Sequence, residues 1–297
     1  MSANAASKDT RSSHKILEEY IKLFLASDNK GDELEVRFGT NLSNPLTRID
    51  FEHAIAKLKS LGFTSADNYG AYHLNIQNQY TDAKTGKAGI GNIRTEIRGL
   101  KNIQDYCKSN QFDIEKVPSW IGFNQKYTKM VGQRRLWPID YHDFQFRVNF
   151  KTERLLKSTY DTVQTLLENW EKKKKIFRLI KRFTFRHPSF PVKVDCSIVR
   201  SSTKRGKYLI PEFRVETSNL FHNPVSYELE IEIDTGKEIR RNIDQQMLIT
   251  KLKTVIKYVM AGIQETNFPV SYKEQLQVLH NYMNVLHKGK WDRRNIT

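Results

Sequence analysis

Carboxylates recur at every second residue in two distant stretches of this 297-residue chain. In the first, ELEVRF, Glu33, Glu35 and Arg37 alternate with Leu34, Val36 and Phe38. In the second, YELEIEID, Glu228, Glu230, Glu232 and Asp234 alternate with Leu229, Ile231 and Ile233. Glutamate oxygens gathered in this way suit a hard divalent cation such as Mg²⁺ or Mn²⁺. Between the two lie stretches of the same rhythm and mostly opposite charge. Arg94, Glu96 and Arg98 alternate with Ile93, Thr95 and Ile97, and Arg147, Asn149, Lys151 and Glu153 with Phe146, Val148 and Phe150. Arg178 and Arg182 share a parity in FRLIKRFTFR, and Lys193 shares one with Asp195 in VKVDCS. Guanidinium and ammonium groups suit phosphate oxygens. A cation site beside a phosphate clamp is the apparatus of phosphoryl transfer.

Such side chains act together only if the fold points them at one another. Successive strand residues face opposite ways, so each stretch reads as a strand with one apolar and one charged face. Half-exposed strands of an open sheet are the ordinary explanation for any one of them. That explanation fits six at once poorly, because like charges side by side repel unless a cation or partner compensates them. A closed barrel with its charged faces inward brings acids and bases together around a hydrated tunnel, its apolar faces covered outside by helices. The expected fold class is therefore α+β, an antiparallel β tunnel flanked by helices.

After a polar arm, Ile16, Leu17, Tyr20, Ile21 and Phe24 recur at helical spacing. A second helix is expected from Asp50, as its cap, to a stop at Gly62. Others are expected over Asp161 to Lys173 and Asp244 to Gln264, and a last opens on a capping box of Ser271 and Glu274. YHLNIQNQY, NIRTEIRGL, DFQFRVNFK, FRLIKRFTFR, VKVDCSIVR and PEFRVET read as strands. Residues 1–266 are expected to form the tunnel domain with its arm, and 267–297 a helical connector.

The chain carries 49 Lys and Arg against 33 Asp and Glu, a formal charge of +16. A surplus of that size favours RNA, DNA, nucleotides, polyphosphate or an anionic membrane, without choosing among them. With only Cys107 and Cys196, neither a disulfide framework nor a cysteine zinc site is expected, and a reducing compartment is. MSANAASKDTRSSHK has no apolar core segment, so no signal peptide is expected. No apolar run reaches the roughly 18 residues of a spanning helix. A soluble intracellular protein is expected.

The order of these stretches, acidic at both ends with basic strands between, resembles the triphosphate tunnel metalloenzymes. It is most similar to the RNA triphosphatase domain of large-DNA-virus mRNA capping enzymes, the poxvirus and African swine fever virus type. The resemblance spans Glu33 to Asp234. It implies an eight-stranded antiparallel tunnel that uses Mg²⁺ or Mn²⁺ to hydrolyse the γ-phosphate of triphosphate-ended RNA, the first step of capping. Nucleoside triphosphates are implied as further substrates. Glu33 and Glu35 then resemble the first metal-binding pair and Glu228 and Glu230 the second, with Glu232 assisting. Arg94, with Arg98 in phase, resembles a phosphate-binding position, as do Arg178 and Arg182. Arg147 and Glu153 resemble the paired basic and acidic positions of a middle strand, Glu153 orienting the attacking water. Lys193 and Asp195 resemble a basic strand in which Asp195 fixes a neighbouring base or a water. Lys181, next to Arg182, should face away. A covalent link to guanylyltransferase and methyltransferase domains is implied beyond the connector, with no membrane partner. For a viral protein the implied location is the host cytoplasm, in the virus factory, and the virion.

Other features compete for attention. VKVDC approaches the Lys-x-Asp-Gly of nucleotidyl-transfer lysines, but Cys196 stands at the Gly position and no downstream nucleotide-binding motifs follow. Covalent catalysis at Lys193 is not expected. GKAGIGN lacks the Walker ending and reads as a turn. Lys126, Lys129, Arg134 and Arg135 in NQKYTKMVGQRRLWP, with the run from Lys172 to Arg186, read as an RNA-approach surface. Two alternatives stay open. One is the same fold acting on inorganic tripolyphosphate, polyphosphate or organic triphosphates. The other is a non-catalytic RNA- or partner-binding module that keeps the charged barrel.

Overall fold

A computed structural model of the protein describes residues 12–39, 45–82, 84–206, 208–234 and 243–288. Eight strands carry the alternation: β1 (Asp32–Phe38), β2 (Ala71–Thr81), β3 (Ile93–Arg98), β4 (Ile121–Thr128), β5 (Phe146–Leu156), β6 (Lys175–Arg186), β7 (Val192–Ser201) and β8 (Ser226–Ile233). They pair antiparallel in the order β6-β7-β8-β1-β5-β4-β3-β2, and β2 pairs back onto β6. The sheet therefore closes into the expected eight-stranded tunnel. β1 and β8, the first and last of these strands, lie side by side, with Glu35 opposite Glu232 and Arg37 opposite Glu230.

The apolar parity of every strand faces outward, against helices. On one side Leu34, Val36, Val148, Phe150, Val194, Leu229 and Ile231 are buried beneath α1 (Ser13–Leu25), α2 (Arg48–Ser60) and α5 (Gln245–Ile263). On the other, Leu74, Ile76, Ile97, Phe123 and Phe177 are covered by α3 (Leu100–Ser109), α4 (Asp161–Glu168) and the fully buried Trp170. The two cores wrap the barrel while its interior stays polar. α2 and α5 cross closely at Gly262, where a Cβ would stand 2.7 Å from Ala54 Cα. α6 (Tyr272–Lys288) opens on the expected capping box of Ser271 and Glu274. Among the described residues, no helix is long and apolar enough to cross a membrane.

Several elements differ from expectation for identifiable reasons. Thr47, not Asp50, caps α2: its side chain accepts from Asp50 N–H, while the Asp50 carboxylate accepts from Thr47 N–H. Asp50 is thus the inner member of a capping box. α4 ends at Glu168 rather than Lys173, because Trp170 turns into the core and donates from Nε1 to Asn110 O at 3.2 Å. PEFRVET forms no strand. Both edges of β6 are already occupied by β2 and β7, and only a bridge from Lys175 to Glu212 remains. β4 and α3 went unread, since Asn124, Gln125 and Lys126 interrupt the apolar rhythm of one and α3 buries only Ile103 and Tyr106.

A charged tunnel as candidate active site

The charged parity of the strands converges on a cavity of about 200 Å³ enclosed by the barrel. Seven glutamates line it: Glu33, Glu35, Glu96, Glu153, Glu228, Glu230 and Glu232. Seven cations answer them: Arg37, Arg94, Lys126, Lys151, Arg178, Arg182 and Lys193. β1 and β8 together make a wall of acids, held by bases from neighbouring strands. Lys151 contacts Glu35, which also accepts from Asn149 Nδ2 at 3.2 Å and lies 3.3 Å from Lys126 Nζ. Lys126 contacts Glu33 as well and lies 4.0 Å from Glu153. Arg37 Nε sits 2.7 Å from Glu230 Oε1, and Arg178 contacts Glu228.

β6 and β7 continue the network. Arg182 donates to Ser197 Oγ at 3.1 Å and stands 3.4 Å from Asp195 and 3.7 Å from Glu230. Lys193 stands 3.1 Å from Glu232 and 3.9 Å from Asp195. Asp195 is buried behind them, accepting from Thr184 Oγ1 at 2.6 Å, and does not itself line the cavity. Arg94 is different. It forms no ion pair among the described residues, and burial, then the adjacent Arg178, lowers its hold on its proton. A guanidinium so placed is ready for an anion.

The balance of charge is uneven along the tunnel. Burial raises the Glu35 carboxyl, but Lys126 and Lys151 outweigh it and bring the group down to about 2. Burial pushes Glu153 up to about 7, and a hydrogen bond and like charge from Glu33 add to it. Glu232 is also pushed up to about 7 by burial, Lys193 opposing and Glu33 reinforcing. Burial raises both groups most, and Glu33 is the like charge that adds to each. The donors on β1 and β8 are all hard carboxylate oxygens, the type that a hard divalent cation takes. The donor set therefore fits Mg²⁺ or Mn²⁺. In the arrangement seen, no group of three or more His, Cys, Asp or Glu among the described residues stands at metal-holding geometry, because Lys and Arg occupy the carboxylates.

Most sequence-predicted residues meet in this cavity: Glu33, Glu35, Glu228, Glu230, Glu232, Arg94, Glu153, Arg178, Arg182 and Lys193. Arg98 and Arg147 do not. Arg98 is outside the lining and 48% exposed, and reaches back from Nε to the lining residue Glu96 at 3.0 Å. Arg147 has the inward parity but lies past Lys151 and Asn149 at the rim. There Asp140 takes its guanidinium in a two-pronged pair, at 2.6 and 2.9 Å. Lys181 faces away as expected, over the rings of Tyr72 and Phe183. Lys126 lies inside, not on an outer RNA-approach surface. Strand parity put Arg37 and Lys151 on the charged faces without a role of their own, and His73, Asn75 and Asn124 were missed altogether. The same parity could have found His73 with Asn75 inside YHLNIQNQY. His73 Nδ1 lies 2.9 Å from Glu96 Oε1.

No protein-family model matches the chain, and no curated protein does. Solved structures are similar to it, two of one enzyme among them. One is the Pct1 RNA triphosphatase of S. pombe, 11% identical, with a TM-score of 0.44 over 89% of this chain and 96% of that one. The other is the same enzyme in complex with the Spt5 CTD, 12% identical, with a TM-score of 0.42 over 86% and 92%.

Proposed function

We propose that this chain is a metal-dependent hydrolase that removes the γ-phosphate from triphosphate-ended RNA, the opening reaction of mRNA capping. The observation that supports this most is the tunnel itself, a glutamate wall on β1 and β8 facing cations from the remaining strands. Its volume of about 200 Å³ is below the roughly 300 Å³ at which ordinary ligand pockets begin. Ile180 is the one apolar side chain in the lining. Such a space suits a chain of phosphates rather than a base or a sugar.

In this reading Glu33, Glu35, Glu228, Glu230 and Glu232 hold the cation, which when bound offsets phosphate charge as a Lewis acid. Arg94, Arg178, Arg182, Lys126, Lys151 and Lys193 grip the phosphate oxygens. Asp195 acts one step back, fixing Arg182 and Lys193. Glu153 orients the attacking water and, with a proton affinity near neutrality, accepts its proton. Preorganised charge in a closed space supplies the stabilisation, so no covalent intermediate is needed. Residues 267–297 are read as the connector to a guanylyltransferase domain of a capping enzyme of the large-DNA-virus type, acting inside the host cell.

The test is phosphate release from triphosphate-ended RNA and from tripolyphosphate, each with Mg²⁺, Mn²⁺ or a chelator. Release from RNA that needs the metal is expected. Release that persists in chelator, or RNA binding without release, refutes the reading. A second reading, an inorganic or organic triphosphatase, is favoured by a tunnel lining that holds no Phe, Tyr or Trp on which a base could stack. Preference for tripolyphosphate in direct competition would select it.

A further inference from the structure

A surface beside the tunnel rim has no task in this scheme. β4 ends at Thr128, the next inward-parity residue after Lys126 and the register partner of Lys151. The chain then turns out into a hairpin of two short strands, Met130–Val131 and Arg134–Arg135, with Gly132 at φ +58 in the turn. The hairpin is anchored. Lys129 N–H donates to Phe150 O at 3.1 Å, Leu136 N–H to Lys129 O at 2.9 Å, and Leu136 and Ile139 are buried.

Three of the four basic residues expected on an RNA-approach surface here are already engaged. Lys126 is held by tunnel glutamates, Lys129 by Asp32, and Arg134 by Glu19 at 2.6 Å. Arg135 forms no ion pair among the described residues. It donates from Nη2 to Thr128 Oγ1 at 3.1 Å, and its guanidinium lies 4.5 Å from the centroid of the Trp137 ring. Trp137 is 51% exposed, while its carbonyl is fixed by Tyr20 Oη at 2.6 Å. An indole half in water, backed by an uncompensated guanidinium, is a stacking surface for unpaired bases. The hydrogen bond to Thr128 ties that surface to the end of a tunnel strand.

We propose that the Arg135–Trp137 pair is the platform for the first nucleotides behind the triphosphate, a base stacking there while the phosphates enter the tunnel. The proposal rests on the hydrolase reading and adds what the lining lacks, a means of telling RNA from a bare phosphate chain. The test compares wild type, Trp137→Ala, Arg135→Ala and Trp137→Phe on tripolyphosphate and on triphosphate-ended oligoribonucleotides of about ten nucleotides. KM for RNA should rise about tenfold in the two alanine variants, the loss of one stacked base, and Trp137→Phe should recover most of it. Tripolyphosphate hydrolysis should not change. An unchanged KM for RNA, or equal losses on both substrates, overturns the platform. Fluorescence anisotropy of labelled RNA in chelator needs no turnover and separates the two readings. If the wild type releases no phosphate yet Trp137→Ala weakens RNA binding about tenfold, the platform stands and the hydrolase falls. If Trp137→Ala binds RNA as the wild type does, the platform falls whether or not phosphate is released.

Discussion

Replacing Glu153 with Gln should stabilise the metal-free protein at about pH 8 and leave its stability unaltered at about pH 4. Burial, then the neighbouring Glu33, pushes the folded Glu153 carboxyl from 4.5 up to about 7. The folded state therefore binds this proton more tightly than the unfolded chain does. Stability falls as pH rises from about 4.5 to about 7 and stays reduced above that. The difference between about 7 and 4.5, at about 1.4 kcal/mol per unit, comes to about 3–4 kcal/mol. Water reaches part of the side chain, which is 22% exposed, so about 2 kcal/mol is the working figure. Gln has the shape of the protonated acid and cannot ionise. Urea unfolding in chelator, at both pH values and with equal slopes, reads the difference directly. An equal gain at both pH values would mean that packing, not charge, is responsible. A loss at pH 8 would mean that Lys126 stabilises the ionised acid more than burial and Glu33 destabilise it. The same variant should lose phosphate release, since the destabilising carboxylate is the one assigned to the water.

Glu33→Ala and Glu230→Ala should each lower phosphate release at least about a hundredfold with the fold retained; near-normal turnover at saturating metal would remove the metal-wall assignment. Lys151→Ala should lower turnover roughly tenfold or more, while Arg147→Ala and Lys181→Ala should stay close to wild type; the reverse order in a steady-state assay would show the strand register to be wrong. Incubation with radiolabelled GTP should leave no covalent adduct. Although burial works against it, Glu232 and Asp195 raise the proton affinity of Lys193, and a protonated amine cannot attack phosphorus. A labelled band that disappears in Lys193→Ala would contradict this. Gly262→Ala, with its Cβ 2.7 Å from Ala54 Cα, should lower stability by about 1–3 kcal/mol; an unchanged urea midpoint would show that the α2–α5 crossing can open without strain.

Strand parity made much of the tunnel legible, because a closed barrel preserves alternation along every strand and the apolar parity needed helices outside. It found Glu33, Glu35, Glu228, Glu230, Glu232, Arg94, Arg178, Arg182, Lys193 and Glu153. Parity gives a face, however, and not a height along the barrel. Arg147 and Arg98 share parity with tunnel residues but do not line the cavity: Asp140 takes the first, and the second pairs with Glu96 from outside the lining. Height depends on the stagger between strands, fixed by pairings such as Glu153 with Lys126 that require β4 to be recognised first. β4 was hidden because its inward face carries Asn124 and Lys126 in place of an acid or arginine pattern. Asp50 illustrates the same limit at a helix end, since Thr47 and Asp50 are both good caps and only the backbone decides between them.

The pairing of β1 with β8 has a consequence for how the protein is made. Glu35 and Glu232 are opposite one another yet 197 residues apart (232 − 35). Chains emerge from the ribosome in order, and contacts of such separation form only after long loops have closed. The first half of the acid wall must therefore wait for the second while more than half of the protein is synthesised. Until β8 arrives, Lys126 and Lys151 are the countercharges available to Glu33 and Glu35. Both lysines lie on strands made before β8, so the pairs Lys126–Glu33 and Lys151–Glu35 do not depend on the last strand. No fragment lacking either strand can present the complete wall, so the juxtaposition of Glu35 with Glu232 exists only once the barrel has closed.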